Sequence, residues 1–139
     1  MQDFDYIRNI IDLSIRLQNL CEGFDKTSKS AVITSKIKVL LILSKSQKTT
    51  PSVIQENVGL AKSNITILCN NLIKEGLMTK TRDEFDTREI YFQLTESGKK
   101  CLDDFLFQAN KNFTSELAYK NNESQIKAAV DDLMKLVGN

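Results

Sequence analysis

Between Thr50 and Leu94 the spacing of apolar residues changes once, at Gly76, and that single change leaves the chain few architectures. Thr50 followed by Pro51 reads as a helix N-cap with proline in the first helical position, where its missing N–H costs nothing. A short helix through Val53, Ile54 and Val58 then meets Gly59, a left-handed stop. The next helix runs from about Lys62 to Gly76, with Ile65, Leu68, Cys69, Leu72 and Ile73 on one buried face. Past Gly76 the period becomes two, which predicts strands over Leu77 to Arg82 and Ile90 to Leu94. The second strand sets Ile90, Phe92 and Leu94 against Tyr91 and Gln93 on the opposite face. Asp83, Glu84, Phe85, Asp86 and Thr87 join the strands as a charged loop longer than a tight hairpin needs. Two short helices joined at a glycine, followed by a hairpin with a polar tip, make a winged helix-turn-helix.

The flanking segments are helical and too apolar to stand alone. Tyr6, Ile10, Leu13, Leu17, Leu20 and Phe24 form one stripe, and Phe4, Ile7, Ile11 and Ile15 form a second beside it. A helix apolar on two sides must be covered twice, once by its own domain and once by a partner subunit. Ile37, Leu40, Leu41 and Leu43 mark the next helix. At the other end a long run passes through Leu102, Phe105, Leu106, Ala109, Phe113 and Leu117, and Asn121 and Asn122 are expected to break it. A last helix carries Ile126, Val130, Leu133, Met134 and Val137. The expected fold is mainly α with a small β-hairpin wing. Residues 33–98 form the winged helix-turn-helix, and residues 1–32 and 99–139 form dimerisation helices.

Composition removes several functions. Histidine is absent, so a histidine general base, a catalytic triad and imidazole metal ligation are excluded. Cysteines at 21, 69 and 101 include no C-x-x-C pair, which argues against a disulfide framework or a zinc knuckle. With no glycine-rich phosphate loop and no activated nucleophile, the chain is not expected to be an enzyme or to carry a cofactor. Charges interrupt the apolar start, and the longest apolar run is Val39 to Leu43, so neither a signal peptide nor a membrane span is expected and the chain reads as cytoplasmic.

A net charge of +1 argues against a nucleic-acid partner only if the chain is uniform. It is not: residues 26–55 carry six lysines and no acid, while residues 1–25 sum to −3 and residues 102–139 to −2. A basic middle between acidic ends suits one face that meets a polyanion.

The run TRDEFDTREIYFQLTESGKK from Thr81 resembles the wing of the MarR family of bacterial transcriptional regulators. In that family an Asp-x-Arg pair precedes a strand closing on Leu-Thr-x-x-Gly. Here these are Asp86 and Arg88, then Leu94, Thr95 and Gly98. Leu60 to Gly76 is similar to the family's recognition helix, with its small-polar start and its end at Leu72 and Gly76. The resemblance implies a homodimer whose terminal helices interlock and hold two winged helices over a palindromic operator in double-stranded DNA, in the sense of a repressor. The recognition helices would then lie roughly 34 Å apart in successive major grooves.

Candidate contacts follow. On the recognition helix they are Lys62, Ser63, Asn64, Thr66, Ile67, Asn70 and Asn71, since Asn pairs with adenine, Ser and Thr reach bases or phosphates, and Ile67 can meet a thymine methyl. On the wing they are Arg82, Asp86 and Arg88. The resemblance places Arg88 in the minor groove, with Asp86 steadying it. Lys36, Lys48, Thr50, Ser52 and Lys80 are candidates for phosphate. The plainer readings are a solvated polar face and an ordinary surface ion pair.

Signals are less readable. Some members of the family sense peroxide through a thiol near the start of the first helix, which aligns with Ile10 here, so Cys21 is the one redox candidate. The family also suggests a small aromatic effector, in a pocket that Tyr6, Phe24 and Phe105 could line. No metal site is expected, although carboxylates alone could hold a weaker ion. The alternative function is a winged-helix adaptor that binds protein and not DNA.

Overall fold

Two threonines start helices here in the same way. Thr34 Oγ1 accepts from Ile37 N at 3.3 Å and Thr50 Oγ1 from Val53 N at 3.4 Å, each supplying an acceptor to a first turn that has none of its own. The computed structural model describes residues 4–22, 34–86, 88–115 and 117–138. The elements are α1 (Asp5–Glu22), α2 (Ser35–Ser44), α3 (Pro51–Val58), α4 (Lys62–Lys74), β1 (Met78–Arg82), β2 (Ile90–Leu94), α5 (Glu96–Thr114) and α6 (Leu117–Val137). The fold is a winged helix-turn-helix flanked by helices. Phe24, Lys26 and Lys29 lie outside the described residues.

Two compact units share the chain, one of Val32–Leu106 and one of Met1–Ala31 with Phe107–Asn139. The first has its own core: Val39, Leu40 and Leu43 of α2, Ile54 and Val58 of α3, Ile65, Cys69 and Leu72 of α4, then Leu77, Met78, Phe92 and Leu102. Most of these are positions that the helical and alternating periods mark. Val39 and Met78 join them unmarked, while Leu41 and Val53, which the periods mark, are exposed. Each large apolar side chain buried in this core contributes about 1.5–3 kcal/mol. Pro51 sits in the first turn of α3, and Gly59 ends the helix at φ 75 in the left-handed region. Gly76, at φ 76, does the same service after α4. Residues 99–106 of α5 belong to this unit.

The wing pairs β1 with β2 antiparallel, from Met78 opposite Leu94 to Arg82 opposite Ile90. Leu77 stands just outside the strand predicted for it: its carbonyl still accepts from Thr95 N at 3.1 Å, in register with the ladder, but its own N–H turns back to Leu72 O at 3.0 Å. Thr95 is the knot of the Leu-Thr-x-x-Gly motif. Its hydroxyl donates to Gly76 O at 2.6 Å and accepts from Gly98 N at 3.0 Å, capping α5 while tying it to the turn before β1. The stretch Ser44 to Thr50, read from sequence as a plain polar connection, adds a rung to the sheet. Thr49 N donates to Phe92 O at 3.2 Å and Phe92 N to Thr49 O at 2.8 Å, which fixes the base of the wing against the start of α3.

The described side chains of α1 are exposed along its length, with Leu20, Cys21 and Glu22 half-buried at its end. Along the C-terminal run the break comes earlier than Asn121 and Asn122, at Thr114, where α5 stops and Ser115 N bonds back to Lys111 O at 3.2 Å. Asn122 only distorts α6, at φ −135 and ψ 28. Asn112 Nδ2 donates to Cys21 O at 3.1 Å, filling an orphan carbonyl at the end of α1.

Candidate nucleic-acid interface

Helix α4 buries Ile65, Cys69 and Leu72, half-buries Leu68 and Ile73, and leaves the rest of its circumference to solvent. Lys62, Ser63, Asn64, Thr66, Ile67, Asn70 and Asn71 are all exposed, so the seven candidates share the outer face. Ile67 is 59% exposed, an apolar residue with no core to fill. Thr66 spends its hydroxyl proton on Lys62 O at 3.1 Å and keeps only its acceptor capacity. The helix starts at Ala61 with no side-chain cap, so its first-turn N–H groups receive no acceptor from the cap residue.

At the wing, Asp86 Oδ1 accepts from Arg88 N at 3.1 Å and from Arg88 Nε at 3.2 Å. One carboxylate oxygen thus holds both the backbone and the side chain of Arg88, whose guanidinium side chain remains 91% exposed. Asp83 orders the other half of the loop. Its Oδ1 accepts from Phe85 N at 2.8 Å and Asp86 N at 3.3 Å, and its Oδ2 lies 3.2 Å from the Tyr91 hydroxyl. The hydrogen bond from Phe85 N, followed by that from Asp86 N, lowers the Asp83 carboxyl below its ordinary value. Tyr91 stands 2.7 Å from Glu89 Oε2, and with its proton held there the phenol is pushed up to about 12.

The cations expected to meet phosphate are placed unevenly. Lys36 Nζ is 3.0 Å from Glu75 Oε2, joining α2 to the residue that ends α4. Lys48 Nζ lies 5.2 Å from the centroid of the Tyr91 ring, a cation–π distance. Lys80 and Arg82 are exposed on β1, and Ser52 is exposed on α3, whereas half-buried Thr50 is occupied as the cap. Asp83, Phe85, Glu89 and Tyr91 organise the wing and were not candidates from sequence. The available signal was Asp83 two residues ahead of Phe85, the spacing of an Asx-turn.

The sensing candidates fare less well. A redox role for Cys21 needs a depressed thiol pKa, and burial, with Glu22 adding, pushes this thiol up. Phe105 is a buried core residue and Tyr6 is 62% exposed. A cavity of about 630 Å³ within the winged unit is bordered instead by Leu43, Lys45, Gln93, Leu94, Leu102 and Asp103.

Residues 26–105 match the family model for the transcriptional regulator SarA/Rot, more than half of the chain. The chain belongs to the SarA/Rot family of transcriptional regulators. Among curated relatives of this SarA/Rot chain is the HTH-type transcriptional repressor YetL of Bacillus subtilis, 25% identical over 100 residues, covering 70% of this chain and 59% of YetL. The chain thus matches rather more than half the length of that relative. Escherichia coli MarR in its apo form superposes with TM-score 0.72 at 18% identity, over 99% of this chain and 100% of that one. The repressor CouR bound to a 23-mer DNA duplex superposes with TM-score 0.69 at 15% identity, over 99% of each chain. CouR from Rhodococcus jostii bound to p-coumaroyl-CoA gives 0.68 at 16% identity, over 98% of this chain and 95% of that one. The SarA/Rot chain therefore has the MarR fold. No helix among its described residues is long and apolar enough to cross a membrane.

Proposed function

We propose that this regulator binds a palindromic operator as a homodimer and represses transcription, with α4 in the major groove and Arg88 in the minor groove. The observation that carries the reading is that one compact unit exposes both the polar face of α4 and a guanidinium held by Asp86. The adaptor alternative calls for Arg88 and the acid-free stretch from Lys26 to Gln55 on a buried or acidic surface. The Arg88 side chain is 91% exposed, which weighs against the buried case. A repressor among the relatives and a DNA-bound structural neighbour support the same reading.

On this reading residues 33–98 bind DNA, and residues 1–32 and 99–139 join the protomers. The exposed apolar side chains of α1 and α6, among them Ile10, Ile11, Leu133 and Met134, supply the dimer surface. Lys48, Lys80, Ser52 and the first turn of α4 take phosphate. A small-molecule effector releases the operator, in keeping with the CoA thioester held by CouR.

Genomic fragments selected by the purified protein and then footprinted test this. The expected result is a protected palindrome with half-sites about one helical turn apart. Recovery of no specific duplex, at any ionic strength, overturns it.

A further inference from the structure

The Phe85 ring is 99% exposed at the tip of the wing. Nothing in the unit's core requires it there, and its main chain is not loose. Phe85 N is held by Asp83 Oδ1 at 2.8 Å, and the loop is closed by Asp83 N to Glu89 O and by Glu89 N to Asp86 O, both at 3.0 Å. Acids dominate the loop's composition, but three of the four are turned onto its own donors. Asp83 takes two amides and faces the Tyr91 hydroxyl, Asp86 takes Arg88, and Glu89 takes Tyr91. What the tip offers a partner is an aromatic ring and, three residues on, a guanidinium, with Glu84 exposed between Asp83 and Phe85.

We infer that Phe85 is a second minor-groove element of the wing, an apolar wedge that enters beside Arg88 and presses on the sugar edges or a base step. This rests on the proposed DNA reading and extends it. A guanidinium alone reads the potential of a narrow groove. An aromatic wedge reads how easily a step opens, because unstacking is cheapest at flexible pyrimidine–purine steps. The wing then prefers such a step at the outer flank of each half-site, without a hydrogen bond to any base. Glu84 repels the phosphates on either side, so the attraction here is the ring's and not the loop's charge.

The test compares Phe85→Ala, Phe85→Leu and Arg88→Ala on the selected operator across a salt series, with 2-aminopurine placed at successive flanking steps. Phe85→Ala is expected to weaken binding roughly three- to tenfold with the salt slope unchanged, since no counterion is released by a ring. It also abolishes the rise in 2-aminopurine fluorescence that wild type produces at one flanking step. Phe85→Leu retains most of both, and Arg88→Ala lowers the slope by about 1. Wild-type affinity in Phe85→Ala, or a loss that vanishes with salt, overturns the wedge. Failure of the wild type to bind any operator overturns the DNA reading itself, and a loss confined to Arg88→Ala leaves that reading standing and removes only Phe85.

Discussion

Asp86 Oδ1 receives both the backbone N–H and the Nε–H of Arg88, at 3.1 and 3.2 Å, while the side chain it holds stays 91% exposed. An exposed ion pair of this kind adds little to stability. Its effect is geometric, removing rotamers that a free arginine would have to lose on binding. Arg88→Ala should therefore leave the fold and the dimer unchanged and reduce operator affinity about tenfold, within the 1–3 kcal/mol expected of one DNA-contacting arginine. Asp86→Ala should lose less than that, because the charge remains and only its aim is relaxed. Gel-shift titrations at moderate salt check both, and equal binding by wild type and Arg88→Ala would sink the assignment.

Helix α1 exposes Ile7, Ile10, Ile11, Leu13 and Ile15. If these side chains form the proposed dimer surface, Ile11→Arg should preserve helicity while placing a charge in it. Sedimentation should find monomers where wild type is dimeric, and operator affinity should fall on the order of 10²-fold as the two half-sites lose their linkage. A variant that remains dimeric would move the interface elsewhere.

The winged unit was legible because its signals are local. Thr50 and Pro51, Gly59, Gly76 and the alternation Ile90 to Leu94 each specify backbone within a few residues, and the structure has them all. What escaped were groups paired across the chain. Thr49 finds Phe92 and Lys48 finds Tyr91, through a connection whose polar composition gives no period. Lys36 reads as a free cation until Glu75, distant in sequence, arrives at 3.0 Å. The early end of α5 at Thr114 was hidden because apolar periodicity continues through Leu117 while the backbone does not. Tyr91 was assigned only an outward face, and the two carboxylates that give it a role come from the loop's fold, not from its alternation.

Those carboxylates make a titration prediction. Tyr91 is raised from 10.0 to about 12, chiefly because its hydroxyl donates to Glu89. A folded value above the unfolded one means that the bond's contribution is complete below pH 10 and is lost as the pH climbs towards 12. Asp83 works in the opposite sense: its lowered carboxyl contributes above its ordinary value of 3.8 and stops contributing as acid protonates it. Spectrophotometric titration of tyrosinate should show one late-ionising tyrosine in wild type, absent in Tyr91→Phe. If Tyr91→Phe leaves the curve unchanged apart from one ordinary phenol, the hydrogen bond to Glu89 does not form in solution.

Gly98, the glycine of the wing motif, is needed for space and not for an unusual backbone angle. A Cβ there would be driven into the carbonyl oxygen of Leu77 and would come within 2.7 Å of Leu94 Cδ1. Leu94 could rotate, but Leu77 O cannot give way cheaply, because it already accepts from Thr95 N and anchors the turn that Thr95 Oγ1 ties to Gly76. Gly98→Ala must therefore push α5 off the start of β1, and overpacking of this sort costs about 1–3 kcal/mol or more. Gly59→Ala is the informative comparison, since a Cβ at Gly59 meets open space and suffers only from φ 75, a penalty of about 1–2 kcal/mol. Urea unfolding at one fixed protein concentration, which keeps any dimer contribution constant, should give Gly98→Ala the lower midpoint of the two at an unchanged m-value. The reverse order would mean that α5 and β1 are not in the close contact that this glycine permits.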